Sequence, residues 1–225
     1  MSTMGCIGVR VNGETSLMLV SWDSYPSGLG RRLVRQVQAA DLRRWKEAAL
    51  RLRPTERLCG PDFRLTEDEV RYITSWVARN VTVETSIDTE EDEMVTAYHE
   101  TDQGLFESGD ELANVLEPTL RHDPGRFFDA IAGRLNAILE LGLFPRLSAG
   151  FLRTPLCEWM YFIDLDEGVF IVGGPSYNGA EWLNSRSDVW ADSDHDIVYR
   201  EFARFPFDDI PQDWEDQVEH DCGNQ

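Results

Sequence analysis

The sequence predicts an α+β fold: an antiparallel sheet built from both chain ends, with helices packed on it. Two hairpin signals and one long stretch of helical periodicity predict it. A strand–turn–strand pattern opens the chain around Asn12-Gly13, and a second surrounds Asp166-Glu-Gly168. Between them, apolar residues recur at three- and four-residue spacing. The 225 residues read as a single domain, 1–225, with the helical middle 66–142 as a candidate sub-domain.

The elements follow in order. Cys6-Ile-Gly-Val-Arg-Val11 reads as a strand, and Asn12-Gly13 tolerates the positive φ angles of a two-residue hairpin turn. Ser16-Leu-Met-Leu-Val-Ser-Trp22 is the returning strand, apolar enough for burial on both faces. Pro26, Gly28 and Gly30 break it, with Ser27 as a helix N-cap. Leu29, Leu33, Val37 and Ala40 then share one helical face, and Leu42, Trp45, Ala49 and Leu52 repeat the pattern until Pro54. Residues 55–65 read as loop. Thr66-Glu-Asp-Glu69 is a capping box opening a helix through Val70, Ile73, Trp76 and Val77. Residues 81–87 alternate like an edge strand, 88–93 form an acidic loop, and 94–99 read as the partner strand. A helical region spans 110–141 with a break near His122-Asp-Pro-Gly125, and Gly142 sits where a C-terminal cap belongs. Residues 157–165 and 169–172 form the clearest hairpin, 197–205 a further strand, and Pro211 starts a short acidic helix.

Bulk composition narrows the class. Hydrophobic content of 42% excludes a disordered acidic tail. No run approaches the ~18 apolar residues of a membrane span, and no basic-then-apolar leader is present. Cys6, Cys59, Cys157 and Cys222 form no CxxC pair, which argues against structural zinc or a disulfide framework. Together these place the protein in the cytoplasm, away from membranes. No motif calls for a cofactor.

Charge is split along the chain. Residues 1–60 carry ten Lys and Arg against five Asp and Glu, whereas 61–225 carry 11 against 36. The net charge is −20, which repels nucleic acid and argues against direct binding to it. A carboxylate-rich surface instead suits a basic site on another protein. Lys46 is the sole lysine, so nearly all the cations are arginines, suited to gripping carboxylates or phosphates with two parallel hydrogen bonds.

Several places carry candidate chemistry. Asp23, Ser24, Tyr25, Ser27, Gly28, Gly30, Arg31 and Arg32 could bind a small anion such as a nucleotide at a helix N-terminus; the Lys-Ser/Thr of a P-loop is missing. Glu158 and Asp164 share strand parity with Met160 and Phe162 and would serve as acid or base if their face is covered; their simpler role is to accept hydrogen bonds from Arg or loop amides. Cys6 follows the pattern of a buried core cysteine rather than a nucleophile. Asp192, Asp194, His195 and Asp196 crowd one segment without the Gly and distal Glu of an EF-hand, so no metal is assigned. Glu90, Glu91, Asp92 and Glu93 form the densest acidic run and the candidate partner-binding segment. No catalytic residue is assigned.

Gly5-Cys-Ile-Gly8, Asn12-Gly13, Asp23-Ser-Tyr-Pro-Ser-Gly-Leu-Gly30 and Glu158-Trp-Met-Tyr-Phe-Ile-Asp-Leu-Asp166 together resemble a group of uncharacterised bacterial and phage proteins. Those relatives often carry His before the aromatic-Asp-Ser-Tyr-Pro block, where this chain has Ser21. The resemblance implies no activity. The sequence therefore leads to a non-enzymatic acidic interaction protein, encoded by a phage or mobile element, that binds a basic and normally nucleic-acid-binding site on a host protein. The alternative is a protein that sequesters, senses or hydrolyses a small anionic ligand at residues 23–32.

Overall fold

The computed structural model describes residues 3–20, 23–58, 63–80, 109–132, 134–146, 157–176 and 198–223. Strands β1 (Gly5–Val11) and β2 (Glu14–Val20) form the opening hairpin. Asn12 (φ 53°) and Gly13 (φ 78°) make its turn, as the Asn-Gly pair demands. A π-helical turn at Pro26–Gly30 leads into α1 (Arg31–Ala39), followed by α2 (Leu42–Ala49) and β3 (Arg53–Leu58). Helices α3 (Glu67–Asn80), α4 (Gly109–His122), α5 (Pro124–Ala132) and α6 (Leu135–Leu141) make the middle. Then come β4 (Leu143–Arg146), β5 (Trp159–Asp164), β6 (Val169–Ser176), β7 (Val198–Pro206) and α7 (Trp214–Gly223).

The fold is α+β, and its main sheet comes from both ends of the chain in the order β2-β1-β5-β6-β7. Its pairings are antiparallel except one: β1 and β5 run parallel, Gly5 opposite Trp159 and Arg10 opposite Asp164. A parallel pair needs a long crossover, and the helical middle supplies it. Both central strands are almost wholly buried. Ile7, Val9, Tyr161, Ile163 and Phe170 face a core closed by α1, α2, α6 and α7. Cys6, Leu17, Met160, Phe162 and Ile171 face the other way and form a smaller cluster. This two-sided burial explains why β5 reads as an unbroken apolar run.

A second core lies among the helices. Val70, Ile73, Trp76 and Val77 of α3 pack with Leu116, Leu120, Phe127 and Phe128 of α4 and α5. Ile131 touches both cores. The capping box forms as its residues require: Thr66 N–H donates to Glu69 Oε2 at 2.8 Å, and Glu69 N–H donates to Thr66 Oγ1 at 3.3 Å. Glu69 is 3% exposed and also accepts the Glu56 N–H at 2.8 Å, tying α3 to β3. Gly142 caps α6 in the left-handed conformation.

Three local expectations are corrected. Residues 55–58, read as the start of a loop, belong to strand Arg53–Leu58, which pairs in parallel with β4. Its run of Arg, Pro, Thr and Glu lacks alternation, so only the tertiary pairing makes it extended. Ser27 is not an N-cap: it sits inside the π-helical turn, and α1 begins at Arg31 without a side-chain cap. The second helix of the pair ends at Ala49, short of Arg53, because Leu50–Leu52 form the turn into β3. The expected strands at 81–87 and 94–99 lie outside the described residues.

Candidate functional site

The junction between β2 and α1 brings together all eight residues of the 23–32 segment. Asp23 takes a positive φ of 40°, which a short polar side chain tolerates. Ser24 is fully buried; its hydroxyl donates to the Thr3 carbonyl at 2.7 Å, and its carbonyl accepts the Tyr161 hydroxyl at 2.7 Å. The turn closes on itself. Gly28 and Gly30 N–H both donate to the Tyr25 carbonyl, at 3.0 and 3.2 Å, and Leu29 N–H donates to the Asp23 carbonyl at 3.1 Å. Arg31 N–H is also taken, by the Gly28 and Pro26 carbonyls. Four consecutive donors that this turn would offer an anion, Gly28 to Arg31, are therefore satisfied within the chain.

The side chains behave likewise. Arg31 grips both Glu215 oxygens, Nε at 2.8 Å and Nη2 at 2.7 Å. Arg32 Nη2 stands 3.5 Å from Asp23 Oδ2. Gly30 allows close approach: a Cβ there would lie 2.7 Å from Trp214 Cη2 and 2.9 Å from Tyr161 Cε1. At Gly28 a Cβ would meet both Asp23 carboxylate oxygens at 2.6 Å. Ser27 is exposed, and Tyr25 is 43% exposed. The junction thus clasps the first strand pair to the C-terminal helix.

The strand carboxylates part company. Glu158 is exposed, while Asp164 is 2% exposed and accepts the N–H groups of Asp166 and Glu167 at 3.0 and 2.9 Å. Arg10 Nη1 lies 3.7 Å from it. Loop amides and an arginine therefore hold Asp164, as its simpler reading requires. Cys6 is buried against Cys157 in the smaller core. A hydrogen bond with Cys157, then burial, pushes the Cys6 thiol well above its ordinary range, so it stays protonated and weakly nucleophilic. Glu90, Glu91, Asp92 and Glu93, and Asp192, Asp194, His195 and Asp196, lie outside the described residues. Among the described residues, no group of three His, Cys, Asp or Glu is arranged to hold a metal, and no helix is long and apolar enough to cross a membrane.

Two further features emerge only in three dimensions. At the β7–α7 corner, Asp208, Asp209, Asp213 and Asp216 are exposed and have no cation partner among the described residues. Trp214 and Val218 anchor the corner in the core. Between α2, α3 and α6 lies a cavity of about 570 Å3, lined by Arg44, Ala48, Arg51, Trp76, Arg79, Asn80 and Glu140. Ala48 and Trp76 are buried, whereas the polar residues are exposed. Sequence reading missed this place because its arginines come from separate segments and Trp76 reads as an ordinary core position. The near-exclusive use of arginine was the one available signal. Comparison of the chain with protein-family models, curated proteins and solved structures finds no match in any of the three.

Proposed function

We propose that this chain is a non-enzymatic acidic interaction protein that engages a basic site on another protein. One observation carries the reading: internal acids occupy many of the cations, while an anchored set of acids is left over. Arg31 pairs with Glu215, Arg44 with Glu140, Lys46 with Asp166, Arg71 with Asp68, Arg121 with Glu67 and Glu117, and Arg204 with Glu167 and Glu201. With 41 acids against 21 Lys and Arg, carboxylates outnumber the chain's own cations by nearly two to one. Asp208, Asp209, Asp213 and Asp216 display that excess on a corner held by buried Trp214. Fixed charges of one sign speed encounter with a basic partner and make affinity salt-sensitive. The Glu90–Glu93 run is the second segment for this role. The basic site is one that ordinarily holds nucleic acid, and the setting is a bacterial cytosol carrying a phage or mobile element, in line with the resemblance of the opening segment.

The test is capture from bacterial extract by three proteins: the unaltered chain, a variant with Asn at 208, 209, 213 and 216, and a variant with Gln or Asn at 90–93. The reading expects one protein retained at low salt, released at high salt, and lost by at least one variant. No retained protein, or one held equally by all three at every salt, overturns it.

A further inference from the structure

We infer that the cavity between α2, α3 and α6 binds a small phosphorylated compound bearing a flat ring, of the nucleoside diphosphate class. Its volume of about 570 Å3 falls inside the range of small-molecule sites, about 300–1,000 Å3. Arg44 and Arg51, from α2 and the turn after it, and Arg79, from the end of α3, converge on it. Guanidinium forks match phosphate oxygens in pairs, which suits arginine better than lysine. Arg51 makes no ion pair or side-chain hydrogen bond among the described residues. Arg79 uses its Nε on the Ser75 carbonyl at 2.9 Å, which leaves its two terminal nitrogens for a ligand. Buried Trp76 supplies an aromatic floor against which a planar ring can pack. Asn80 donates from Nδ2 to the Trp76 carbonyl at 2.8 Å, which leaves its amide oxygen to accept from a ring or ribose donor.

Two groups oppose an anion, and both can be weighed. Glu140 lines the cavity and stands 3.4 Å from Arg44. The C-terminal ends of α2, α3 and α6 each contribute roughly half a negative charge at most. Three guanidiniums exceed one carboxylate and those three partial charges by about half a unit, so the cavity stays positive within a chain of net charge −20. That narrow margin selects the ligand's size. A long polyanion would meet the acidic remainder of the protein beyond about 8 Å, the screening length at physiological salt. A diphosphate fits inside that radius. Arg44 is 73% and Glu140 50% exposed, so their pair is weak enough to open for a phosphate.

The experiment is calorimetric titration of the full chain with ADP, inorganic pyrophosphate and adenosine. ADP should bind most tightly, with pyrophosphate and adenosine each at least tenfold weaker. Arg51→Ala with Arg79→Ala should weaken ADP about tenfold or more without lowering the melting temperature. Glu140→Gln should tighten it about threefold, since it frees Arg44; a purely structural role for these residues predicts no such gain. Absence of ADP binding, or ADP affinity unchanged in the double arginine variant, overturns the site. Pyrophosphate binding as tight as ADP overturns the ring contact at Trp76.

Discussion

The β2–α1 junction and the α2–α3–α6 cavity both gather arginines, yet the chain treats them in opposite ways. At the junction Arg31 is gripped by Glu215 and Arg32 stands beside Asp23, while the local N–H groups close the turn. At the cavity Arg51 has no carboxylate among the described residues, and Arg44 shares a long, exposed contact with Glu140. Glycine and arginine in one short segment read as a binding loop, whereas arginines on two segments far apart in the chain carry no such pattern. What separates a clasp from a site is whether the chain supplies the counter-groups itself.

Five substitutions break or sharpen that contrast, in falling order of effect. Trp214→Ala removes the side chain that Gly30 was left bare to admit; the loss should be about 3–5 kcal/mol, read by denaturant unfolding. Tyr161→Phe leaves the buried Ser24 carbonyl without its donor and should cost about 1–3 kcal/mol in the same assay. A comparable loss from Arg51→Ala would erase the distinction between clasp and site.

The third concerns pH. Burial pushes the Asp166 carboxyl up, but the Gly13 and Asn12 N–H groups, with Lys46 and Arg10, outweigh burial and hold it below its ordinary value. A depressed carboxyl stabilises the fold fully above its unfolded pKa of about 3.9 and loses that contribution as pH falls through the lower folded value. Asp166→Asn should therefore cost about 1 kcal/mol at pH 7. The gap to the unaltered protein should narrow in thermal melts below about pH 4. A gap that persists there would mean the lost stability is not ionic. The smallest effect comes from the exposed arginines. Arg31→Ala should cost about 1 kcal/mol or less because the Arg31 side chain is half exposed and water screens its end of the pair. Arg51→Ala should change stability by less than about 0.5 kcal/mol. Equal melting temperatures with unequal ADP affinities would set the two regions apart most cleanly.

Local chemistry was legible and long-range pairing was not. Asn12-Gly13, Thr66 with Glu69, and Gly142 each announce a backbone geometry through their own side chains, and each geometry is present. The hairpin of β5 and β6 was legible for the same reason. The parallel seating of β5 on β1 was not, since register between strands so far apart leaves no periodic trace in either. Arg53–Leu58 is a strand only because β4 lies beside it, where Thr55 Oγ1 accepts the Arg146 N–H at 3.0 Å. The eight residues at 23–32 lie together in space, but that their hydrogen bonds turn inward could be read only in three dimensions. The Asp208–Asp216 corner is a weaker sequence signal than Glu90–Glu93 because Ile210, Pro211, Gln212 and Trp214 interrupt its acids.

The seating of β1 between β2 and β5 bears on how the protein is made. Asn12 and its hydrogen-bond partner Asp166 are 154 residues apart in the chain. At about 5–20 residues per second, a ribosome needs on the order of 10–30 seconds to cover that gap. During it the nascent β1–β2 hairpin carries an unpaired apolar edge, and a two-stranded hairpin alone is barely stable. The sheet can assemble only once β5 has left the exit tunnel, so the burden on chaperones falls early and the fold arrives late. A polypeptide released before residue 159 would lose the centre of its sheet rather than its margin.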